Sequence, residues 1–267
     1  MLIRTIKMSF WVFYDHIAKL LLINLLCIAW GIIPLLYIEV MTATGGSNNI
    51  HGLVAVMIVM IAVPLSLVGI LSLVKELIEK HDGSFRLFYI GIRRFGLQAF
   101  ILEIAYLFAF ACVISCLYFY GSIAGQYSPI VKYGLGAFSV WALLLLSATA
   151  FYSFPALINR RAGIIDAIKL SVALVVDNPL FTLGILFHIV LLLIVCATAP
   201  LLLCFLFAPI VVLQGSAYEM LARKYSALTA HRNRHDGRNE AFTIDFGDEN
   251  DEYLCRGFRD LLFPWKE

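Results

Sequence analysis

The sequence predicts an all-α, polytopic membrane protein with six transmembrane helices and short amphipathic helices on the cytoplasmic side. Three observations carry this. Of the 267 residues, 61% are hydrophobic and 14% charged, whereas a soluble domain carries roughly a quarter charged residues. Several apolar stretches reach the roughly 20 residues a helix needs to cross a bilayer. Lys and Arg collect in the segments that alternating spans place on one side. The net charge of +2 gives no reason to expect a nucleic-acid partner, and the lipid bilayer is the expected surrounding.

The first span is expected to begin after Lys19 and to extend to about Ile38. Arg4 and Lys7 precede it, Trp30 and Pro34 lie within it, and no small-x-small site follows where cleavage would need one, so it reads as uncleaved. Further spans are expected at roughly Leu53–Val74, Leu97–Tyr120 and Tyr133–Ile158. The apolar run from Leu180 to Tyr218 is about twice the length of one span and contains Pro200 and Pro209. It is either one long kinked helix or a hairpin turned near Ala199–Pro200.

The positive-inside rule favours the hairpin. With six spans and a cytoplasmic N-terminus, the inner segments 1–19, 75–96, 159–179 and the tail from Glu219 hold every Lys and Arg except Lys132. Five spans would export a tail that begins with Arg223 and Lys224 at the membrane. The expected organisation is therefore a six-span domain over residues 1–224 and a cytoplasmic tail over 225–267, with both ends cytoplasmic.

Two inner connectors have helical periodicity. Between Arg161 and Asp177 a narrow polar stripe (Asp166, Lys169, Ala173, Asp177) runs through Ile164, Ile165, Ile168, Val172 and Val175. This predicts a helix over Ile164–Val176 lying in the membrane interface, ended by Asn178-Pro179. In the earlier connector Arg86, Arg93, Arg94 and Gln98 fall near one face, with Phe85, Phe88, Ile92 and Phe95 on the other. The two units align at a constant offset, Gln98 against Asn178, which predicts a parallel internal repeat of span, interfacial helix and span.

Ionisable groups inside spans are costly and are functional candidates by default. Glu103, early in the third span, and His188, in the fifth, would meet near the inner leaflet if those helices are neighbours. Their bland reading, shared with Asn24, Gln214 and Glu219, is a structural hydrogen bond between helices. Cys27, Cys112, Cys116, Cys196 and Cys204 lie in spans as small hydrophobes, and the sixth cysteine, Cys255, stands alone in the tail. His231 and His235 are weak metal candidates in a basic linker over Ser226–Asn239, and Asp245–Glu252 is acidic without the order of a calcium loop. No catalytic, metal or phosphate-binding motif is present, so no cofactor and no enzymatic activity are expected. Partner contacts are expected at Arg86, Arg93, Asp166, Lys169, Phe258 and Trp265, the last two in the aromatic end "CRGFRDLLFPWKE".

Three stretches carry a family resemblance. "FYDHIAKLLLINLLCIAWGIIP" (Phe13–Pro34), "GSFRLFYIGIRRFGLQA" (Gly83–Ala99) and "FYSFPALINRRAGIIDAIKLSVALVVDNP" (Phe151–Pro179) resemble parts of the YesL-like family of bacterial membrane proteins. The resemblance covers about residues 9–224 and departs from the family in the spacing from Asn24 to Pro34 and in the acidic tail. It implies a bacterial plasma-membrane protein with an accessory role beside carbohydrate uptake systems of the ABC class, partnered by their membrane subunits. It lends no catalytic residues. The alternative kept open is an independent small-solute carrier or channel using Glu103 and His188.

Overall fold

The computed structural model describes residues 1–43, 48–120, 128–160, 163–198, 206–234 and 252–256. These form nine α-helices and no strand: α1 Leu2–Asp15, α2 Ile17–Ala43, α3 Asn48–Lys80, α4 Phe85–Tyr118, α5 Pro129–Arg160, α6 Ile164–Asp177, α7 Pro179–Ala197, α8 Phe207–Arg234 and α9 Glu252–Cys255. The protein is an all-α polytopic membrane protein. Among the described residues four helical stretches are long and apolar enough to cross a membrane: His51–Lys80, Phe85–Tyr118, Pro129–Asn159 and Pro179–Ala197. A fifth span results if α1 and the start of α2, bent by 88° at His16, are taken together.

α1 has no counterpart among the expected elements. Arg4 and Lys7 make residues 1–19 look like a polar leader, yet Thr5, Met8, Trp11 and Val12 repeat at helical spacing and are all buried. Helical geometry ends at His16, whose φ of −115° and ψ of 23° leave the α region and turn the chain into α2.

α3 and α4 pair closely, joined by a short turn. His81 adopts φ 54°, the left-handed conformation that commonly follows a helix end. The Ser84 hydroxyl accepts from the Arg86 N–H at 3.3 Å and starts α4. Gly91 lets the backbones approach: a Cβ there would stand 2.3 Å from Ser72 Oγ and 2.6 Å from Ser72 Cβ. Small residues at such crossings are the usual means by which membrane helices gain packing, since lipid offers no hydrophobic drive between them.

α4 corrects one expectation. The amphipathic connector before Leu97 is no separate interfacial helix but the first part of one 34-residue helix. Gln98 is followed by no proline, so nothing interrupts the hydrogen-bond ladder. At the aligned position, Pro179 lacks an N–H and restricts Asn178, and the chain breaks there between α6 and α7. The unit of span, short helix and span therefore occurs once, not twice.

The run from Leu180 to Tyr218 is divided: α7 ends at Ala197 and α8 begins at Phe207, while the expected turn at Ala199–Pro200 lies outside the described residues. Among the described residues α7 and α8 are not closely packed on one another. α1 lies against both, Leu2 touching the α7 backbone at Gly184, and α8 sits in the middle of the bundle against α1, α2, α3 and α5. Val211, Val212, Leu213, Ala217, Met220 and Leu221 are buried around α8, the pattern of a helix enclosed on every side. α8 also continues to Arg234, through the expected domain boundary at 224/225 and into the stretch read as a linker.

Candidate functional site

The intramembrane candidates are dispersed. Glu103 lies on α4, which packs on α3 and α5; His188 lies on α7, which packs on α1, α5 and α6. The expected meeting of the two does not occur, because α4 and α7 are not neighbouring helices. His188 instead borders an apolar cleft of about 230 Å³ with Ile6, Phe10 and Phe13 of α1 and Leu192, Pro209 and Leu213. Asn24 is fully buried, and its Oδ1 accepts the Ala208 N–H at 3.1 Å. That donor is one of the first four of a helix, which have no partner within it, so Asn24 caps α8 from across the bundle. Among the described residues no group of three or more His, Cys, Asp and Glu gathers as a metal site, and Cys112, Cys116 and Cys196 are free thiols. Cys204 and His235 lie outside the described residues, as do Phe258 and Trp265.

Polar side chains converge instead at the end of the bundle where α1 meets α2, α3 meets α4 and α6 meets α7. Here the tail returns and clasps the bundle. Tyr253 of α9 is 1% exposed, its hydroxyl donates to the Leu77 carbonyl at 3.1 Å, and its ring lies 4.6 Å from that of His81. Leu254 is buried beside it, and its carbonyl accepts from Lys7 Nζ. Arg256 bridges Asp15 at the end of α1 and Glu252, with its guanidinium 5.3 Å from the centre of the Trp11 ring.

A second contact holds the α1–α2 corner to the α3–α4 turn. Lys19 Nζ and Asp82 Oδ1 are 3.0 Å apart, and Asp82 also accepts the Gly83 N–H at 2.7 Å. These donors hold the Asp82 carboxyl below its ordinary pKa, the Lys19 hydrogen bond being the largest cause. His16, half-buried at the corner with Nε2 3.4 Å from the Tyr253 hydroxyl, is pushed below its ordinary pKa, first by burial and then by the nearby Lys19 charge.

The break between α6 and α7 is fastened to α8. Asn178 Nδ2 donates to the Tyr225 hydroxyl at 2.8 Å, Lys224 Nζ donates to Asn178 Oδ1, and the Tyr225 hydroxyl lies 3.1 Å from Asp177 Oδ2. Inside the bundle, Tyr106, Ser153 and Ser171 tie α4, α5 and α6 together, with oxygens 2.5 and 3.0 Å apart. Sequence reasoning found Asn178 as a helix breaker but missed Lys224 and Tyr225 as its partners, which are 46 and 47 residues away.

α6 takes the predicted helical form over nearly the predicted range. Ala167, Ser171, Leu174 and Val175 are buried against the bundle. Ile165, Val172 and Val176 form an exposed apolar stripe, beside an exposed polar one of Asp166, Lys169 and Asp177. Arg86 and Arg93 are exposed on α4. Comparison of the chain with protein-family models, with curated proteins and with solved structures finds no match.

Proposed function

We propose that this membrane protein works by association and not by catalysis, as an accessory to the membrane subunits of a carbohydrate importer of the ABC class. The observation that carries the reading is α6. It has one face packed on the bundle and two faces, one apolar and one charged, left open side by side. A lone interfacial helix needs only lipid on the apolar stripe. A partner helix lying in the same interface would cover both stripes at once, pairing Asp166 and Lys169 while excluding lipid from Ile165 and Val176. The charged end is then the cytoplasmic side of a bacterial plasma membrane, in line with the crowding of Lys and Arg there. The resemblance to the YesL-like family supplies the sugar-uptake context as an analogy.

Co-purification from native membranes tests the reading. The tagged chain should bring down importer membrane subunits, an Ile165→Asp/Val176→Asp variant should lose them, and deleting the gene should lower uptake of one sugar. Solute movement by the purified protein alone in liposomes, abolished by Glu103→Gln or His188→Gln, would replace this reading with the carrier.

A further inference from the structure

Five cations described at the charged end are matched to a carboxylate. Lys19 pairs with Asp82, Lys75 with Glu79, Lys80 with Glu76, Arg223 with Glu219 and Arg256 with Asp15 and Glu252. Arg86, Arg93 and Arg94 of α4 differ. No acidic residue occurs between Asp82 and Glu103. Among the described residues none of the three forms an ion pair, and Arg94 makes only a ring contact, 5.3 Å from the centre of Phe95. With Tyr89 and Ile90 they line an open recess of about 460 Å³. Three guanidiniums in two helical turns, with no carboxylate paired to them among the described residues, form a site for an external anion, and their planar donor forks match phosphate oxygens.

The rest of the same face says which phosphate. Arg86, Ile90, Arg93, Leu97, Ile101, Ile104 and Phe108 recur at three- and four-residue steps and are all exposed. From Arg94 to Ile104 the helix rises about 15 Å, which is roughly half of a hydrocarbon core about 30 Å thick. Basic residues thus give way to one leaflet's depth of apolar ones along a single stripe. A free phosphate or an acidic peptide would use the arginines and leave the apolar track idle, whereas a phospholipid uses both.

We propose that this face of α4 binds an anionic phospholipid, its headgroup phosphate held by Arg86, Arg93 and Arg94 beside Tyr89 and an acyl chain lying along Leu97, Ile101 and Ile104. The site is distinct from α6 and does not depend on a protein partner. The test is native mass spectrometry of the full chain in detergent, titrated with phosphatidylglycerol or phosphatidylcholine at fixed ionic strength. Phosphatidylglycerol should bind more tightly. Each Arg→Gln change should weaken it roughly fivefold, and R86Q/R93Q/R94Q on the order of a hundredfold, with little effect on phosphatidylcholine. K169Q, which removes an exposed cation on α6, should leave binding unchanged, and the single variants carry the test if the triple one fails to fold. Equal binding of the two lipids, or unchanged phosphatidylglycerol binding in R86Q and R93Q, overturns the site. Displacement of the lipid by inorganic phosphate, or by a polyglutamate peptide acting through the same arginines, overturns the choice of ligand.

Discussion

Replacing Tyr253 by alanine should release the tail from the bundle. The structure sets the size of the effect. The ring is buried, and burying a large side chain is worth about 1.5–3 kcal/mol. The hydrogen bond to the Leu77 carbonyl adds about 0.5–1.5 kcal/mol. The sum, about 2–4 kcal/mol, is a rise of roughly 30- to 1000-fold in the undocked fraction, at about 1.4 kcal/mol per tenfold, until the segment is fully open. Tyr253→Phe keeps the ring and loses only the bond, for roughly two- to tenfold. Asp15→Asn removes an ion pair whose members are both a quarter exposed, so solvent screening holds its effect to about fivefold or less. Tryptic scission after Arg256, followed by mass spectrometry, reads the undocked fraction when opening and closing are fast relative to cleavage. The expected order is Y253A far above Y253F, with D15N at or below it. Scission in Y253A no faster than in the unchanged protein, or slower than in D15N, would refute the reasoning that the buried ring holds the clasp.

Three further outcomes follow from the packing. Gly91→Ala should destabilise the protein by about 1–3 kcal/mol in equilibrium unfolding, because its Cβ meets Ser72, and Ser72→Gly added to it should recover part of the loss. Asn24→Leu should cost about 1–3 kcal/mol in the same assay by leaving the buried Ala208 N–H unpaired. His16 binds its proton less readily in the folded protein than in the unfolded one, so its effect on stability is absent above its ordinary pKa of 6.5 and destabilising as pH falls below it. The thermal midpoint should therefore drop below about pH 6.5 more steeply in the unchanged protein than in His16→Gln, with Asp15, Lys19, His81 and Asp82 common to both; parallel profiles would remove His16 from the account.

Local chemistry was legible in the sequence and neighbour choice was not. The polar stripe of α6 and the Asn178-Pro179 break are properties of adjacent residues, and the helix stands at Ile164–Asp177. The continuity of α4 turns on a proline that is missing after Gln98, a weaker signal than the amphipathic pattern that hid it. α1 was masked by Arg4 and Lys7, although Thr5, Met8 and Val12 carried its period. Which spans touch depends on packing between distant segments, so hydropathy could not separate Glu103 from His188, place α8 at the centre, or join Asn178 to Lys224 and Tyr225. Charge patterning located the basic residues of α4, while the lack of an ion pair to them among the described residues is a property of the folded chain.

Association through α6 is the central claim, and photo-crosslinking in native membranes tests it most directly. A photoreactive residue at position 165 or 176, on the open apolar stripe, should yield an adduct with an importer membrane subunit, and one at position 101, on the lipid-facing stripe of α4, should not. Adducts from 165 and 176 with lipid alone would contradict the account.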